Sequence, residues 1–409
     1  MPMNRDTVPR TTKRLRLPNE PAQGGWYTDD EWAELRRACE DSADWRTGWK
    51  PTEFVERFEG AFATHTTAQY AVAFNSGGTA MEMVLHALQL EPADAVVSCA
   101  INFVGPHLAV IHAGAQLVLA EPEEGALNLD VADVERAVSE HPRVRVILIT
   151  HWNGAVCDLR PFLDVARAHP HPVHGPPVVI VDAARACGGI SPAGLPVGGE
   201  GFATVFSFES KKLITTLGQG GMVTTSDPSL AEQLRLLRTY GGRSRWGTNQ
   251  LMTKAQAAVG FIQLERLGDM LDARIQRAHQ RSTAVADIPE LTGPPVLHGR
   301  QHVYYRHNLL VPQSWGRKGR DALMDTLAGD FGIGSIVSDP PTWHHGLIGA
   351  HTMGQRCPRA EALAGRLLCP CLHPLMTDDE ERDVQLALKL AVGRTARALD
   401  LPRTETHHD

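Results

Sequence analysis

Between Tyr70 and Ser226, seven short runs of β-branched and other apolar residues alternate with stretches of helical periodicity. The runs are YAVAF, AVVSC, QLVLAEP, RVILIT, PVVIVD, ATVFSF and GMVTTS. Several are almost continuously apolar, which is typical of parallel strands buried on both faces. After the first run the apolar residues form one helical stripe, made by Ala80, Met83, Val84, Ala87 and Leu88. The alternation predicts an α/β domain with a mainly parallel sheet flanked by crossover helices.

The chain beyond the last run contains helices first and shorter, mixed elements later. Leucines at helical spacing over 230–237 predict one helix, and apolar residues over 257–271 predict a longer one. From about Ile275 the pattern changes. There HVYYRHNLLVP (302–312) predicts a strand, and residues 378–399 predict a final helix.

A chain of 409 residues is longer than a single hydrophobic core usually supports. We therefore expect an N-terminal arm at 1–24, a large domain at 25–270 and a smaller α+β domain at 271–409. The arm carries a local excess of basic residues, from Arg5 to Arg16. We interpret this stretch as frayed and solvated, with partner binding as the alternative.

The composition argues against several classes of protein. The sequence has 40 Lys and Arg against 47 Asp and Glu, a net charge of −7 spread along the chain, which is unlike a nucleic-acid binder. It contains neither an apolar run of roughly 18 residues, as a membrane span requires, nor a signal-peptide core. We expect a cytoplasmic protein with no nucleic-acid or membrane partner.

Cysteines and histidines give no sign of a disulfide framework or a metal site. The seven cysteines are scattered and odd in number, so we expect reduced thiols. Cys369-Pro-Cys371 and His344-His345 lack a second pair at the spacing of a zinc site. The sequence therefore predicts no metal.

Three polar features follow predicted strands, where open α/β sheets place their ligand sites. The segment Asn75–Thr79 (NSGGT) joins a strand to a helix, and its small residues and the helix N-terminus suit a phosphate. Asp182 ends PVVIVD and needs a partner once buried, for which a cationic ring nitrogen is one candidate. Ser207 opens SFESKK, and a lysine held in a cleft gains the neutral amine that forms a Schiff base.

Each feature alone also has a purely structural interpretation. A glycine turn with a threonine cap is useful without a ligand, and paired lysines before a loop are usually solvated. Asp182 is able to pair with Arg185 or to cap the turn after it. Together, a phosphate cradle, Asp182 and a lysine 30 residues later are in the order that fold type I pyridoxal 5'-phosphate (PLP) enzymes use for their cofactor contacts.

From Trp32 to Val392 the sequence resembles the DegT/StrS family of PLP-dependent aminotransferases, fold type I enzymes that aminate keto sugars and aminocyclitols. RFEGAFA is similar to the family's FE..FA helix. AFNSGGTAMEMVLHAL resembles its Ser-Gly-Thr phosphate turn, which implies that Gly78 and Thr79 bind the cofactor. NFVGPHLAVIHAGAQLVLAEP resembles the TFVAT block, which implies that Phe103 stacks on the pyridine ring.

Two further motifs carry the catalytic residues that the resemblance implies. VIVDAARACGG resembles IEDAAQAHGA, which makes Asp182 the partner of the pyridinium nitrogen. FSFESKKLITTLGQGG resembles SFxxTKxLxxGEGG. This similarity implies that Lys212, rather than Lys211, binds PLP covalently and that the hydroxyl of Ser207 binds its phosphate.

A last motif, GTNQLMTKAQAAVGFIQLERL, resembles the family's GxNxRMxxxQAAxGLxQLxRL. It implies that Asn249 reaches the cofactor phosphate of a neighbouring subunit, and hence a homodimer with shared active sites. Three positions depart from the family. Arg185 replaces a Gln or His beside the cofactor, Leu251 replaces an arginine, and Gln219 stands where an acid is common.

The resemblance implies an aminotransferase that moves an amino group from L-glutamate or L-glutamine to a keto sugar or ketocyclitol, in a specialised, antibiotic-type pathway. One alternative is a non-transaminating PLP enzyme such as a dehydratase, and another is a non-catalytic regulatory homologue. In the second domain His302, Tyr304, Tyr305 and Arg306 are candidates to face the substrate, with ordinary packing as the alternative.

Overall fold

The computed structural model describes residues 15–46, 48, 52–125, 128–243, 245–294 and 299–401. All seven predicted runs form strands of one sheet: β1 (Tyr70–Phe74), β2 (Ala95–Cys99), β3 (Gln116–Ala120), β4 (Val144–Thr150), β5 (Val178–Asp182), β6 (Ala203–Ser207) and β7 (Gly221–Thr225). Their order is β1-β7-β6-β5-β4-β2-β3. Strands β2 to β6 pair in parallel, and β7 runs antiparallel to both of its neighbours. The predicted α/β architecture with a mainly parallel sheet is confirmed.

Helices cover the sheet as the apolar stripes predict. The helices of this part of the chain are α1 (Asp29–Ala43), α2 (Thr52–Thr66), α3 (Gly77–Ala87), α4 (Val104–His112), α5 (Val131–Glu140), α6 (Arg160–Ala168), α7 (Pro228–Leu237) and α8 (Lys254–Ala286). In α3 the five buried side chains include Ala80, Met83 and Val84 of the predicted stripe. The helices and both faces of the sheet share one hydrophobic core.

A second, smaller unit follows α8. Its elements are β8 (Leu309–Leu310), α9 (Gly316–Thr326), β9 (Ser335–Ile336), α10 (Gly346–His351), α11 (Pro358–Ala364), β10 (Leu367–Pro370) and α12 (Asp378–Ala398). The three strands form a separate sheet in the order β8-β10-β9. A second core has buried residues that run from Val285 to Ala396. Helix α8 continues through the expected boundary at 270, so the boundary itself stays a prediction.

The prediction of a continuous strand over 302–312 is wrong, because only Leu309 and Leu310 are in a strand. Tyr304 has a φ of +47°, a left-handed conformation that interrupts extended backbone. The residue before it does not pair with a neighbouring strand of the small sheet. Instead, the Val303 N–H donates to the Gly154 carbonyl at 2.9 Å. The final helix is confirmed, and Thr377 caps its first turn.

The N-terminal segment is attached to the small unit. The Leu15 and Leu17 N–H groups donate to the carbonyls of Phe331 and Gly332, both at 3.0 Å. The part of the basic stretch that precedes Leu15 lies outside the described residues. In the part of the chain that the structure describes, no helix is long and apolar enough to cross a membrane. Likewise no cluster of three His, Cys, Asp or Glu side chains is placed to hold a metal among those residues.

Candidate active site

A cavity of about 550 Å³ opens at the carboxyl ends of β5 and β6, beside the start of α3. Adjacent strand ends meet there, since Thr150 of β4 is in register with Asp182 of β5, and Asp182 with Val205 of β6. Residues from distant parts of the chain complete the wall. They include Glu20, Ser76, Gly77, Gly78, Phe103, Asp182, Arg185, Ser207, Lys211, Lys212, Gln219, Tyr305, Ser338 and Asp339.

The start of α3 lies against Ser207 and forms a candidate anion cradle. Ser76 caps the helix, its Oγ accepting a hydrogen bond from the Thr79 N–H at 3.1 Å. A Cβ added to Gly77 would lie 2.8 Å from the Ser207 Cβ, so only glycine allows this approach. The N–H groups in the first turn of a helix have no partner within the helix, and together with the positive end of the helix dipole they favour binding of a phosphate here. Gly78 lines the same wall.

Thr79 takes a different place from its neighbours. Its hydroxyl donates to the Asn75 Oδ1 at 2.7 Å, and the cavity wall contains Ser76 and Gly78 but not Thr79. The side chain therefore organises the turn, and a direct cofactor contact by Thr79 stays a prediction.

Asp182 ends β5 inside the cavity and is only 7% exposed. Its Oδ1 accepts a hydrogen bond from the Ala184 N–H at 2.9 Å, the turn cap that the sequence allowed. Burial raises the pKa of Asp182, although Lys212 and Arg185 oppose the rise. Among the described ion pairs Asp182 has no partner, so a cationic ligand that reached it would be bound strongly.

The two neighbouring lysines have different surroundings. Lys211 is exposed, and its Nζ donates to Glu20 at 2.7 Å. That bond raises the pKa of Lys211 and holds the side chain as a cation. Lys212 is half-buried, and its Nζ lies 5.3 Å from the centroid of the Tyr305 ring. Because Lys212 joins no described ion pair, it is the better candidate of the two lysines for a reactive amine.

Arg185 is buried and bound on three sides. It forms an ion pair with Asp339, including a 3.0 Å bond from Nη2, and its Nη1 donates to Asn153 at 2.9 Å and Ser338 at 3.2 Å. Burial acts to lower the pKa of Arg185, but the charge of Asp339, its hydrogen bond and the nearby Tyr305 and Asp182 together raise it. The positive charge of Arg185, which the sequence places near the cofactor, is therefore balanced by the Asp339 carboxylate. The sequence did not indicate this pairing, since 154 positions separate the partners.

Of the second-unit candidates, Tyr305 alone lines the cavity. Its ring faces three basic side chains, with Arg185 at 5.4 Å and Arg306 at 5.0 Å as well as Lys212. His302 and Tyr304 stack on each other at 4.0 Å and are buried, so for these two the packing interpretation is the better one.

Phe103 and Asn249 differ in their relation to the cavity. Phe103 is 55% exposed at the start of α4, where its ring stands in the cavity wall free to cover a flat ligand. Asn249 is exposed and outside that wall, although the Gln250 carbonyl accepts a bond from the Asn75 N–H at 2.9 Å beside the cradle. Its role toward a neighbouring subunit stays a prediction.

We expect the Asp339→Asn substitution to destabilise the protein by about 3–5 kcal/mol, because it leaves the Arg185 guanidinium buried without its counter-charge. Urea unfolding of the cofactor-free protein measures the effect. Asp379→Asn is the matched control, since its pair with Arg382 is exposed and such pairs contribute about 0–1 kcal/mol. A loss for Asp339→Asn no larger than the control's would contradict this assignment.

Comparisons with known proteins agree with the fold. The sequence model of the DegT/DnrJ/EryC1/StrS aminotransferase family matches residues 28–389. GDP-perosamine synthase of Caulobacter vibrioides is 36% identical over 295 residues, 70% of this chain and 76% of that protein. The dTDP-3-amino-3,4,6-trideoxy-alpha-D-glucose transaminase of Streptomyces venezuelae is 30% identical, over 85% of this chain and 88% of its own length.

Solved structures show the same architecture. S. venezuelae DesV superposes with a TM-score of 0.79 at 28% identity, covering 92% of this chain and 99% of DesV. The Psychrobacter cryohalolentis aminotransferase has a TM-score of 0.81 at 24% identity, covering 92% of this chain and all of that chain.

The residues present suit PLP, the cofactor of these enzymes. The glycine turn suits a phosphate, and Asp182 is a buried carboxylate without a partner among the described ion pairs, which suits a cation. The half-buried Lys212 lines the same wall. On the family match and this site, the chain belongs to the DegT/DnrJ/EryC1/StrS family as a PLP-dependent aminotransferase.

Proposed function

We propose that this protein transfers an amino group from an amino acid, L-glutamate or L-glutamine, to a nucleotide-linked keto sugar or a ketocyclitol. The observation that carries the proposal is the meeting of Lys212, Asp182 and the α3 cradle in one cavity. The named products of the relatives support the acceptor class, since they include GDP-perosamine and a dTDP-linked amino sugar. An antibiotic-type pathway is part of the proposal.

Each residue has a role that follows from its surroundings. The N–H groups at the start of α3, Gly78 and the Ser207 hydroxyl hold the cofactor phosphate, and Phe103 covers the ring. Asp182 pairs with the ring nitrogen and keeps it protonated. When bound, PLP supplies an electron sink that stabilises negative charge at the amino-bearing carbon.

Lys212 anchors the cofactor and, once its amine is released, moves the proton at the reacting carbon. Its suitability rests on its surroundings, because its Nζ faces the Tyr305 ring and joins no described ion pair, whereas the Lys211 Nζ is bound to Glu20. We propose that Arg185, fixed by Asp339, lies beside the cofactor. We also propose a cytoplasmic homodimer in which Asn249 of one copy contributes to the cofactor phosphate site of the other.

The donor half of the reaction tests the proposal directly. Purified protein reconstituted with PLP is mixed with L-glutamate or L-glutamine without an acceptor. Loss of the visible absorption of lysine-bound cofactor, with growth of the near-ultraviolet pyridoxamine band, is the expected result. Unchanged spectra with both amino acids would contradict the donor assignment and favour non-transaminating chemistry. Nucleotide-linked keto sugars added afterwards should restore the visible band if they are acceptors.

A further inference from the structure

The N-terminal segment 15–25, which we name the strap, connects both units of the protein across the cavity. At one end Leu17 bonds to the small unit, where the Gly334 N–H donates to its carbonyl at 2.9 Å. At the other end Gly24 packs against the Lys212 loop so closely that an added Cβ would lie 3.1 Å from the Lys212 carbonyl oxygen. Between these points Glu20 lines the cavity. Residues 15–24 of the expected arm therefore contact both units, and Glu20 is part of the cavity wall.

Glu20 connects two segments that carry active-site groups. One carboxylate oxygen accepts from the Lys211 Nζ at 2.7 Å, and the other accepts from Arg306. Lys211 precedes Lys212, and Arg306 follows Tyr305, whose ring faces the Lys212 Nζ. A single carboxylate therefore ties together the backbone on both sides of the Lys212–Tyr305 contact.

The charges around Glu20 favour this arrangement. Burial acts to raise the pKa of Glu20, but the bond from Lys211 and the charges of Arg306 and Lys211 outweigh it and lower the pKa. Arg306 is 6% exposed, and its Nε has no hydrogen-bond partner among the described residues. Without Glu20 this guanidinium would be a buried cation next to the Tyr305 ring. A buried charge without a counter-charge is costly, and a movement of the Tyr305 ring would reduce that cost.

We propose that Glu20 is a positioning residue of the aminotransferase, which through Lys211 and Arg306 holds Lys212 and Tyr305 in working geometry. The inference rests on the proposed function, because it assigns Glu20 a role in the step that Lys212 performs. Small displacements of a reacting group cost up to about 100-fold in rate. Loss of one anchoring charge should therefore lower kcat by about 10-fold while the KM values of donor and acceptor stay within about 2-fold.

The test compares Glu20→Gln, Lys211→Met and the double variant. If Glu20 acts through Lys211, the two substitutions remove the same interaction. The fold-loss in kcat of the double variant should then be smaller than the product of the two single losses and close to that of the slower single variant. Glu91→Gln is the control. Its pair with Arg143 is exposed and lies at the amino ends of β2 and β4, whereas the cavity lies at the carboxyl ends of the strands. Lys211→Met removes an exposed side chain, so it remains informative if Glu20→Gln folds poorly.

A second readout uses the cofactor-free protein and needs no turnover. Brief trypsin digestion followed by mass spectrometry reports cleavage after Lys212 and Arg306. The strap holds both segments, so Glu20→Gln should increase the cleavage rate at these bonds several-fold, with no change for Glu91→Gln.

The outcomes separate the two proposals. Wild-type kcat and wild-type cleavage for Glu20→Gln would overturn the positioning role, and so would a raised acceptor KM with unchanged kcat, which would mean direct substrate contact by Glu20. An active Lys212→Ala variant would instead defeat the proposed function itself. An inactive Lys212→Ala variant with an unaffected Glu20→Gln variant would defeat this inference alone.

Discussion

The Lys212→Ala variant is expected to lose at least about 10³-fold in kcat, because proton transfer by a positioned group alone contributes about 10²–10⁴-fold and the covalent anchor is lost as well. The fold should be unaffected, since the side chain is half-buried and joins no described ion pair. Steady-state kinetics and circular dichroism of the same preparation measure both effects.

Lys211 is the matched comparison within the same loop. Its side chain is tied to Glu20 and exposed, so Lys211→Met should retain at least about a tenth of the wild-type rate, the size expected for a positioning effect. Borohydride reduction of the PLP-loaded protein followed by peptide mapping should place the attached cofactor on Lys212. Attachment to Lys211, or turnover by Lys212→Ala at the wild-type rate, would sink the assignment.

The Asp182→Asn variant should show opposite effects on activity and on the stability of the cofactor-free protein. The amide cannot supply the negative charge that pairs with the ring nitrogen, and loss of such electrostatic stabilisation costs about 10²–10³-fold in kcat. Asp182 is buried with no described ion-pair partner, so its charge is costly when the cofactor is absent.

The pH dependence follows from the sign of the pKa shift. Because burial raises the pKa of Asp182 in the folded protein, its stabilising contribution is complete below the ordinary pKa of about 3.8 and is lost as the pH rises through the folded-state pKa. At neutral pH the Asp182→Asn protein without cofactor should therefore have a higher Tm than wild type. The difference should narrow as the pH falls toward 3.8.

Differential scanning calorimetry of the cofactor-free proteins over this pH range measures the effect. With PLP bound the order should reverse, because the ring nitrogen then stabilises the wild-type carboxylate. A lower Tm for cofactor-free Asp182→Asn at neutral pH would mean that another group already neutralises Asp182, and the pairing role would fail.

The strands and the local parts of the site could be predicted from the sequence because their determinants lie close together in the chain. Apolar runs of about five residues define β1 to β7, and the turn Asn75–Thr79 carries its own glycines and cap. The prediction failed over 302–308, where Tyr304 adopts a positive φ that tertiary packing imposes. Apolar character alone does not distinguish such a buried, irregular segment from a strand.

The sequence by itself determined the mainly parallel sheet, the glycine turn at the start of α3, and the placement of Asp182 and Ser207 at strand ends with Lys212 in the loop after β6. Each of these features depends on a motif of adjacent residues. Only the tertiary structure decided that Asp339 pairs with Arg185 and that Tyr305 faces Lys212. It also decided that Glu20 binds both Lys211, beside Lys212, and Arg306, beside Tyr305. These partners are 93 to 286 positions apart in the chain. A charged side chain finds its partner through burial and packing, which local sequence does not encode.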